Sequence, residues 1–170
     1  MNTRELINRL EANAAVLSGL VEDLPPEQIT WKPSPEEWSV LEVICHLLDE
    51  EREDFRARID GILHRPEEDW TPIDPQGWVE ERSYGTRDLG DTLRAFLAER
   101  EHSVSWLRGL DVSNWEALYQ HPTLGPLRAG DLLASWLAHD FLHMRQLVSL
   151  HWRFHSREAR PYEVSYAGDW

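Results

Sequence analysis

Several residue types and patterns are scarce in this sequence, and each scarcity excludes a class of protein. Of 170 residues only Cys45 is a cysteine, so no intramolecular disulfide can form. No window approaches the roughly 18 apolar residues of a membrane-spanning helix. The N-terminal stretch MNTRELINRLEANAAVL lacks a basic head followed by an apolar run, so we expect no signal peptide. These features predict a soluble, cytoplasmic protein without a membrane partner.

Basic residues are also few. The 17 Lys and Arg side chains face 31 Asp and Glu side chains, which gives a formal net charge of −14. Such a surface repels phosphate backbones. The nearest basic cluster is Arg153, Arg157 and Arg160, which we interpret as solvated charge in preference to a site for the carboxylates of a small anion. No GxGxxG, P-loop or GxSxG motif occurs, and YGTRDLG has the pattern of a turn and helix start. We therefore expect no nucleic-acid partner and favour a small-molecule substrate.

What the sequence does contain is helical periodicity. Ser39, with Glu42 three positions on, predicts a capped helix start, after the proline-rich stretch EDLPPEQITWKPSPEEW has ended the preceding helix. The second predicted helix continues through Ile62 and ends before Pro66. The four predicted helices cover about 3–22, 39–65, 86–107 and 130–152.

Four amphipathic helices without a convincing strand predict an all-α four-helix bundle. Long connections follow the second and third helices, and the later one, RGLDVSNWEALYQHPTLGPLRAG, indicates either a functional loop or a small hairpin. The length favours a single domain over residues 1–170, whose tail, residues 154–170, packs on the bundle or is partly irregular. The nine tryptophans favour packing beneath the long connections over ligand stacking.

The stretch SWLAHDFLHMRQL in the fourth predicted helix contains His139 and His143, which lie one turn apart on the same face. They share that face with Trp136 and Leu147, so they are expected to face the interior or a cleft. From the pattern alone they are either bystanders or two ligands of a metal ion. Asp140 lies between apolar neighbours and requires a partner, which is a buried donor, a ligand imidazole, or a cap or salt-bridge contact on another helix.

A metal site needs at least one more ligand, and His46 in the second predicted helix is a candidate. Periodicity places His46 with Asp49 and Glu53 on an acidic face opposite the apolar stripe, which indicates an exposed residue. Cys45 is predicted to be a buried, unreactive thiol. The remaining histidines are expected to be bystanders, namely His64, His102, His121, His151 and His155, although His121 could overhang a site.

Two stretches together resemble the DinB-like superfamily of four-helix-bundle metalloproteins. WKPSPEEWSVLEVICHLLDEE resembles the family's entry into helix 2, and HPTLGPLRAGDLLASWLAHDFLHMRQL resembles its helix 4 with H-D-x-x-H-x-x-Q. ERSYGTRDLGDTLRAFLAERE resembles the helix 3 region more loosely. The likeness covers most of residues 25 to 150.

The resemblance implies a divalent metal, zinc or nickel, held by His46, His139 and His143. It also implies Asp140 and Gln146 as residues that support the ligands. Three histidines leave a coordination position open, as in catalytic sites. Asp49 or Glu50 could orient a ligand or act as a base near the metal.

Two functions follow as expectations. The first is a metal-dependent enzyme, either a transferase that uses a low-molecular-weight thiol as cosubstrate or a hydrolase, acting on a small molecule. The alternative is a non-catalytic, metal-stabilised bundle that binds a small molecule or a protein partner. A homodimer is expected in either case.

Overall fold

The computed structural model describes residues 2–110 and 114–170, and these ranges contain seven α-helices and one two-stranded sheet. None of the described helices is both long and apolar enough to cross a membrane. The strands are β1 (Leu118–His121) and β2 (Gly125–Arg128). The helices are α1 (Thr3–Gly19), α2 (Pro26–Thr30), α3 (Val40–Glu53), α4 (Phe55–His64), α5 (Trp78–Glu81), α6 (Leu89–Gly109) and α7 (Ala129–Glu158).

The long helices form the predicted all-α four-helix bundle, and this prediction is confirmed. Helix α1 packs between α6 and α7, while α3 packs on α6 and α4 packs on α7. Around the bundle the order is therefore α1, α6, α3 with α4, and α7. A long connection follows the second predicted helix and another follows the third, as expected. The connection between α4 and α6 contains α5, and the connection between α6 and α7 contains the hairpin.

The second predicted helix is not continuous, which corrects the prediction of one helix over 39–65. Asp54 leaves helical geometry with φ −115° and ψ −95° and divides the segment into α3 and α4. Backbone hydrogen bonds continue on both sides, from the Asp54 N–H to the Glu50 carbonyl and from the Arg58 N–H to the Asp54 carbonyl. The break allows one predicted segment to face two neighbours, α6 and α7, and periodicity gave no sign of it.

Helix ends follow their caps. Ser39 caps α3 as predicted, because its hydroxyl accepts the Glu42 N–H and the Glu42 carboxylate accepts the Ser39 N–H at 2.7 Å. Asp88 caps α6 through its carboxylate, which accepts the Asp91 N–H at 2.8 Å, so the helix begins at Leu89 rather than near residue 86. Helix α7 extends to Glu158, six residues beyond its predicted end, and Pro161 follows closely.

The connection between α6 and α7 contains a small hairpin, which is one of the two structures predicted for it. Leu118 pairs with Arg128 and His121 pairs with Gly125 in an antiparallel register. Gly125 has φ +76°, a conformation that suits glycine. The strands have four residues each, too few for a clear alternation, so the sequence showed no convincing strand.

A buried polar layer divides the core into two main apolar clusters. One cluster lies towards the hairpin and includes Leu10, Ile59 and Trp136, and the other includes Leu17 and Ile44. A third cluster, with Cys45, Trp78 and Tyr84, lies beneath the connection that follows α4. The buried tryptophans thus pack in the core or under long connections, as predicted. The polar layer between the two main clusters contains Asn13, Glu51, Arg100 and Asp140.

Candidate metal centre

Three histidine side chains converge between α3 and α7. The Nε2 atom of His139 lies 3.2 Å from Nε2 of His46 and 3.0 Å from Nε2 of His143. Tetrahedral ligands at about 2.1 Å from one ion are separated from one another by roughly 3.4 Å. The observed spacing is close to that value, so the three imidazoles can serve as ligands of a single metal ion.

Burial keeps these imidazoles neutral. The side chains of His46 and His143 are almost fully buried, and His139 is partly exposed. Burial and repulsion from the other two histidines lower the pKa of His46 to about 2, and burial lowers the pKa of His139 to about 3. The pKa of His143 is also lowered, mainly by burial. Neutral imidazole is the form that binds metal, so the electrostatics of the site favour ligation.

The other ring nitrogens show how two of the ligands are oriented. The Nδ1–H of His143 can donate to Gln146 Oε1 at 2.8 Å, which leaves the Nε2 lone pair directed at the centre. Within residues 2–110 and 114–170, neither His46 Nδ1 nor Glu50 Oε1, which lies 3.7 Å from it, has a hydrogen-bond partner, and both atoms are buried. A carboxylate next to the second nitrogen of a ligand histidine is the usual support of a metal site. These two unpaired atoms fit a metal at Nε2.

Glu50 itself is an unusual carboxyl group. Its side chain is buried, and the pKa rises to about 8, first because of desolvation and then because of the neighbouring Asp54. Arg58, which pairs with Asp54, opposes the increase. Glu50 lies next to His46 Nδ1, whereas the three Nε2 atoms converge on the opposite side of that ring. The position suits a residue that orients His46 better than one that contacts substrate.

Aromatic rings enclose the centre. The Trp38 ring lies 4.8 Å from the His46 ring and is parallel to the His143 ring at 6.4 Å. Phe55 lies 5.2 Å from the His139 ring and stacks on Trp136 at 5.5 Å. These walls give the histidines an apolar surrounding, in which electrostatic interactions are stronger than in water.

The expected exposure of His46 is wrong, and so is that of Asp49 on the same face, whereas Glu53 is exposed as expected. His46 is only 4% exposed, because α3 is covered on nearly all sides and every residue from Val40 to Glu51 is buried. The carboxylates on that face are paired: Glu42 with Ser39 and Lys32, and Asp49 with residues discussed below. A charged face can therefore be internal when its charges find partners, which periodicity does not reveal.

Asp49 lies apart from the histidines. Its Oδ2 accepts a hydrogen bond from the Tyr84 hydroxyl at 2.6 Å and forms an ion pair with Arg82 Nη1 at 2.9 Å. Burial and this carboxylate raise the pKa of Tyr84. Asp49 and Glu50 were both predicted to orient a ligand or act as a base. In the structure Glu50 lies beside His46, whereas Asp49 contacts residues of the connection after α4.

Asp140 is bonded to a buried donor on another helix in a salt bridge, as two of its three predicted alternatives have it, and not to an imidazole. The guanidinium of Arg100 donates to both Asp140 oxygens at 2.8 and 2.7 Å, and Asn13 donates to one of them at 3.0 Å. The Nε–H of Arg100 donates to Glu51 at 2.6 Å. The hydrogen bonds of Asp140 thus come from Arg100 and Asn13, and none of those described joins it to a ligand histidine, contrary to the expectation.

Arg100 and Glu51 are the main residues that sequence reasoning missed. Trp136 and Ser103 also donate to Glu51, at 3.0 and 2.8 Å, so this carboxylate is fully engaged. A signal was available, because Arg100 lies four residues from both Phe96 and Val104 on the apolar stripe of α6. Like Asp140, Arg100 is a charged residue among apolar neighbours and therefore needs a buried partner.

The remaining candidates take no part in the centre. Burial raises the pKa of the Cys45 thiol to about 11, in agreement with a buried, unreactive cysteine. His121 lies in β1, where its ring contacts Trp70 rather than the three histidines. His151 bridges α7 to the Leu20 carbonyl and to Gln28, each at 2.6 Å.

Fold and site together define a class: a four-helix bundle with a three-histidine centre whose donors suit a divalent transition metal and leave a coordination position open. A sequence model of the DinB superfamily matches residues 9–147, and the chain belongs to this family.

Two relatives extend this result. A protein of Oceanobacillus iheyensis, whose name assigns it provisionally to the metal-dependent hydrolases, is 27% identical over 148 residues, covering 86% of this chain and 84% of the relative. YfiT from Bacillus subtilis, described as a probable metal-dependent hydrolase with an unusual four-helix bundle topology, superposes with a TM-score of 0.80. The match covers 89% of this chain and 87% of YfiT at 22% identity, so it is evidence for the fold.

Proposed function

We propose that this protein is a metal-dependent hydrolase of a small molecule, with His46, His139 and His143 as the metal ligands. The observation that carries the proposal is the convergence of three neutral Nε2 atoms at 3.0 and 3.2 Å inside an aromatic pocket. The names of the two relatives support the same class of reaction. Imidazole donors suit zinc or nickel, and we choose zinc for the tests below.

The chain itself supplies ligation, orientation and exclusion of water. Gln146 holds the ring of His143, and Glu50 is placed to accept the Nδ1–H of His46 after a small side-chain movement. Trp38 and Phe55 shield the ligand rings. A divalent metal bound there supplies Lewis acidity and lowers the pKa of a water.

The metal assignment is tested with protein purified without added metal, followed by elemental analysis. We expect wild type to contain a divalent transition metal and His139→Ala to have lost most of it. His102→Ala is the matched control, because His102 is exposed and contacts Arg56 and Glu99 rather than the three histidines. Equal metal content in wild type and His139→Ala would contradict the assignment.

The reaction class is tested separately on zinc-loaded protein, with a panel of chromogenic esters and amides as substrates. We expect turnover that is lost on chelation, restored by zinc, and absent from His139→Ala. A bundle that only uses metal for stability would show metal-dependent melting without turnover, and that result would refute the hydrolase proposal.

A thiol is the alternative nucleophile, and the same open position would bind it as a thiolate. The panel therefore includes 1-chloro-2,4-dinitrobenzene with cysteine as the added thiol. Metal-dependent conjugation without any hydrolysis would assign the protein to the transferases instead.

A further inference from the structure

A cavity of about 500 Å³ begins at His143 and extends along the C-terminal half of α7. Its walls are α7, the segment before α3 and the side chain of Trp170. Trp38 belongs to both the cavity and the aromatic wall of the histidine centre. A molecule in this cavity would therefore lie directly beside a metal ligand.

The charge of the cavity differs from that of the whole chain. The charged side chains in its lining are those of Arg145, Arg153 and Glu37, two positive and one negative, in a protein of net charge −14. Arg145 is exposed and has no ion-pair partner within residues 2–110 and 114–170. A local positive potential of this kind attracts a small anion despite the negative surface around it.

Arg153 shows which anion the cavity suits. Its two terminal nitrogens contact the two oxygens of Glu37, so a carboxylate already binds there in the fork-to-fork manner. Both side chains are nearly half exposed, and a ligand carboxylate can therefore displace Glu37. Gln146 and Ser149 add neutral polar groups, while Trp38, Leu150 and Trp170 provide apolar surface. The lining matches an amphipathic molecule with an apolar body and a carboxylate.

The distances along α7 give the ligand its orientation. Arg145 and Arg153 follow His143 by two and ten residues, or about 3 and 15 Å along the helix axis. We propose that this cavity is the substrate subsite, and that Arg145 and Arg153 hold a carboxylate of the substrate while its reacting group lies at the histidine centre. The proposal rests on the proposed function, since it names the substrate class of that same site.

The test compares 4-phenylbutyrate with its uncharged amide, 4-phenylbutyramide, and with inorganic phosphate. Binding is followed by the fluorescence of the cavity tryptophans and by calorimetry, in zinc-loaded protein and again after chelation. We expect the acid to bind at least about tenfold more tightly than the amide in both forms, as expected for a charge-assisted hydrogen bond. Equal binding of acid and amide would overturn the proposal, and a preference for phosphate would overturn the carboxylate assignment.

Four variants locate the binding. Arg145→Gln and Arg153→Gln should each weaken the binding of 4-phenylbutyrate about three- to tenfold. Glu37→Gln should strengthen this binding, because it frees Arg153. Arg157→Gln is the matched control: it lies on the same helix but its guanidinium covers Trp31 and Phe154 outside the cavity. If Arg157→Gln weakens binding as much as Arg153→Gln, general surface charge is responsible and the subsite is refuted.

Failure of this proposal is distinguishable from failure of the proposed function. Selective acid binding in chelated protein that never hydrolyses any substrate would retain the subsite and refute the hydrolase. Metal-dependent hydrolysis that prefers neutral esters, and is unchanged by Arg145→Gln and Arg153→Gln, would retain the hydrolase and refute the subsite.

Discussion

The same two helices, α3 and α7, contribute to two buried polar clusters of opposite kind. In the charge cluster, Glu51 and Asp140 surround Arg100, and the donors of the guanidinium face carboxylate or carbonyl oxygens. In the histidine cluster, His46, His139 and His143 direct acceptor lone pairs at one point. The charge cluster contains a cation of the chain itself, the guanidinium of Arg100. The histidine cluster has the geometry of ligands arranged around a metal cation.

This difference has a physical basis in how buried groups are satisfied. A buried ion is tolerated when opposite charges and hydrogen bonds replace water, and the charge cluster meets that condition within the chain. The histidine cluster instead remains neutral, with depressed pKa values, and the described part of the chain offers no hydrogen-bond partner to His46 Nδ1 or Glu50 Oε1. The comparison therefore predicts that the charge cluster stabilises the metal-free fold, while the histidine cluster contributes mainly when metal is bound.

The largest effect is expected from Arg100→Met. This change leaves Glu51 and Asp140 buried without their counter-ion, which costs about 3–5 kcal/mol of unfolding free energy. Urea denaturation of chelated protein measures the loss. The control is His46→Ala under the same conditions, which removes no charge pair from the core and should cost less. If His46→Ala destabilises the chelated protein more than Arg100→Met, the division between the two clusters is wrong.

Metal addition should produce the next largest effect. Under the proposed assignment, zinc binds the folded three-histidine centre and not the unfolded chain, so it should raise the unfolding free energy by about 2.7 kcal/mol when free zinc is about 100 times Kd. Melting curves recorded over a zinc titration measure this increase. His139→Ala should show no increase, and an increase as large as that of wild type would place the zinc elsewhere.

Residues that orient the ligands should have a smaller effect. Gln146→Ala and Glu50→Gln should each weaken zinc binding by about 10- to 100-fold while the three ligands remain. A competition titration with a chromogenic chelator measures the affinity. Asp49→Asn is the comparison, because Asp49 bonds Tyr84 and Arg82 instead of a histidine. Its zinc affinity should equal that of wild type, and a loss as large as that of Glu50→Gln would contradict the distinction between the two carboxylates.

The smallest effect is expected at an exposed ion pair. Arg108 donates to both oxygens of Glu11 across α6 and α1, and both side chains are about half exposed. Water screens such a pair, so Glu11→Gln should leave the urea midpoint unchanged within error. A midpoint shift comparable to that of Arg100→Met would show that burial does not separate the two kinds of ion pair.

Much of the site could be predicted, but by different kinds of argument. The i, i+4 spacing placed His139 and His143 on one face, and polarity among apolar neighbours showed that Asp140 needs a partner. Periodicity placed His46 on an exposed face, and only the family resemblance suggested that it joins the other two. The position of Arg100 on an apolar stripe indicates that it also needs a partner, but its pairing with Asp140 was not predictable, because the two residues are 40 positions apart and no local pattern relates them.

The sequence by itself determined the local elements: the capped start of α3 at Ser39, the amphipathic helices and the paired histidines of α7. These depend on neighbours within about four residues, which is the range of caps and helical periodicity. Only the tertiary structure decided the break at Asp54, the burial of His46, the separation of Glu50 from Asp49, and the cavity lined by Arg145 and Arg153. Each of these depends on which surfaces cover a side chain, and those surfaces come from parts of the chain that meet only after folding.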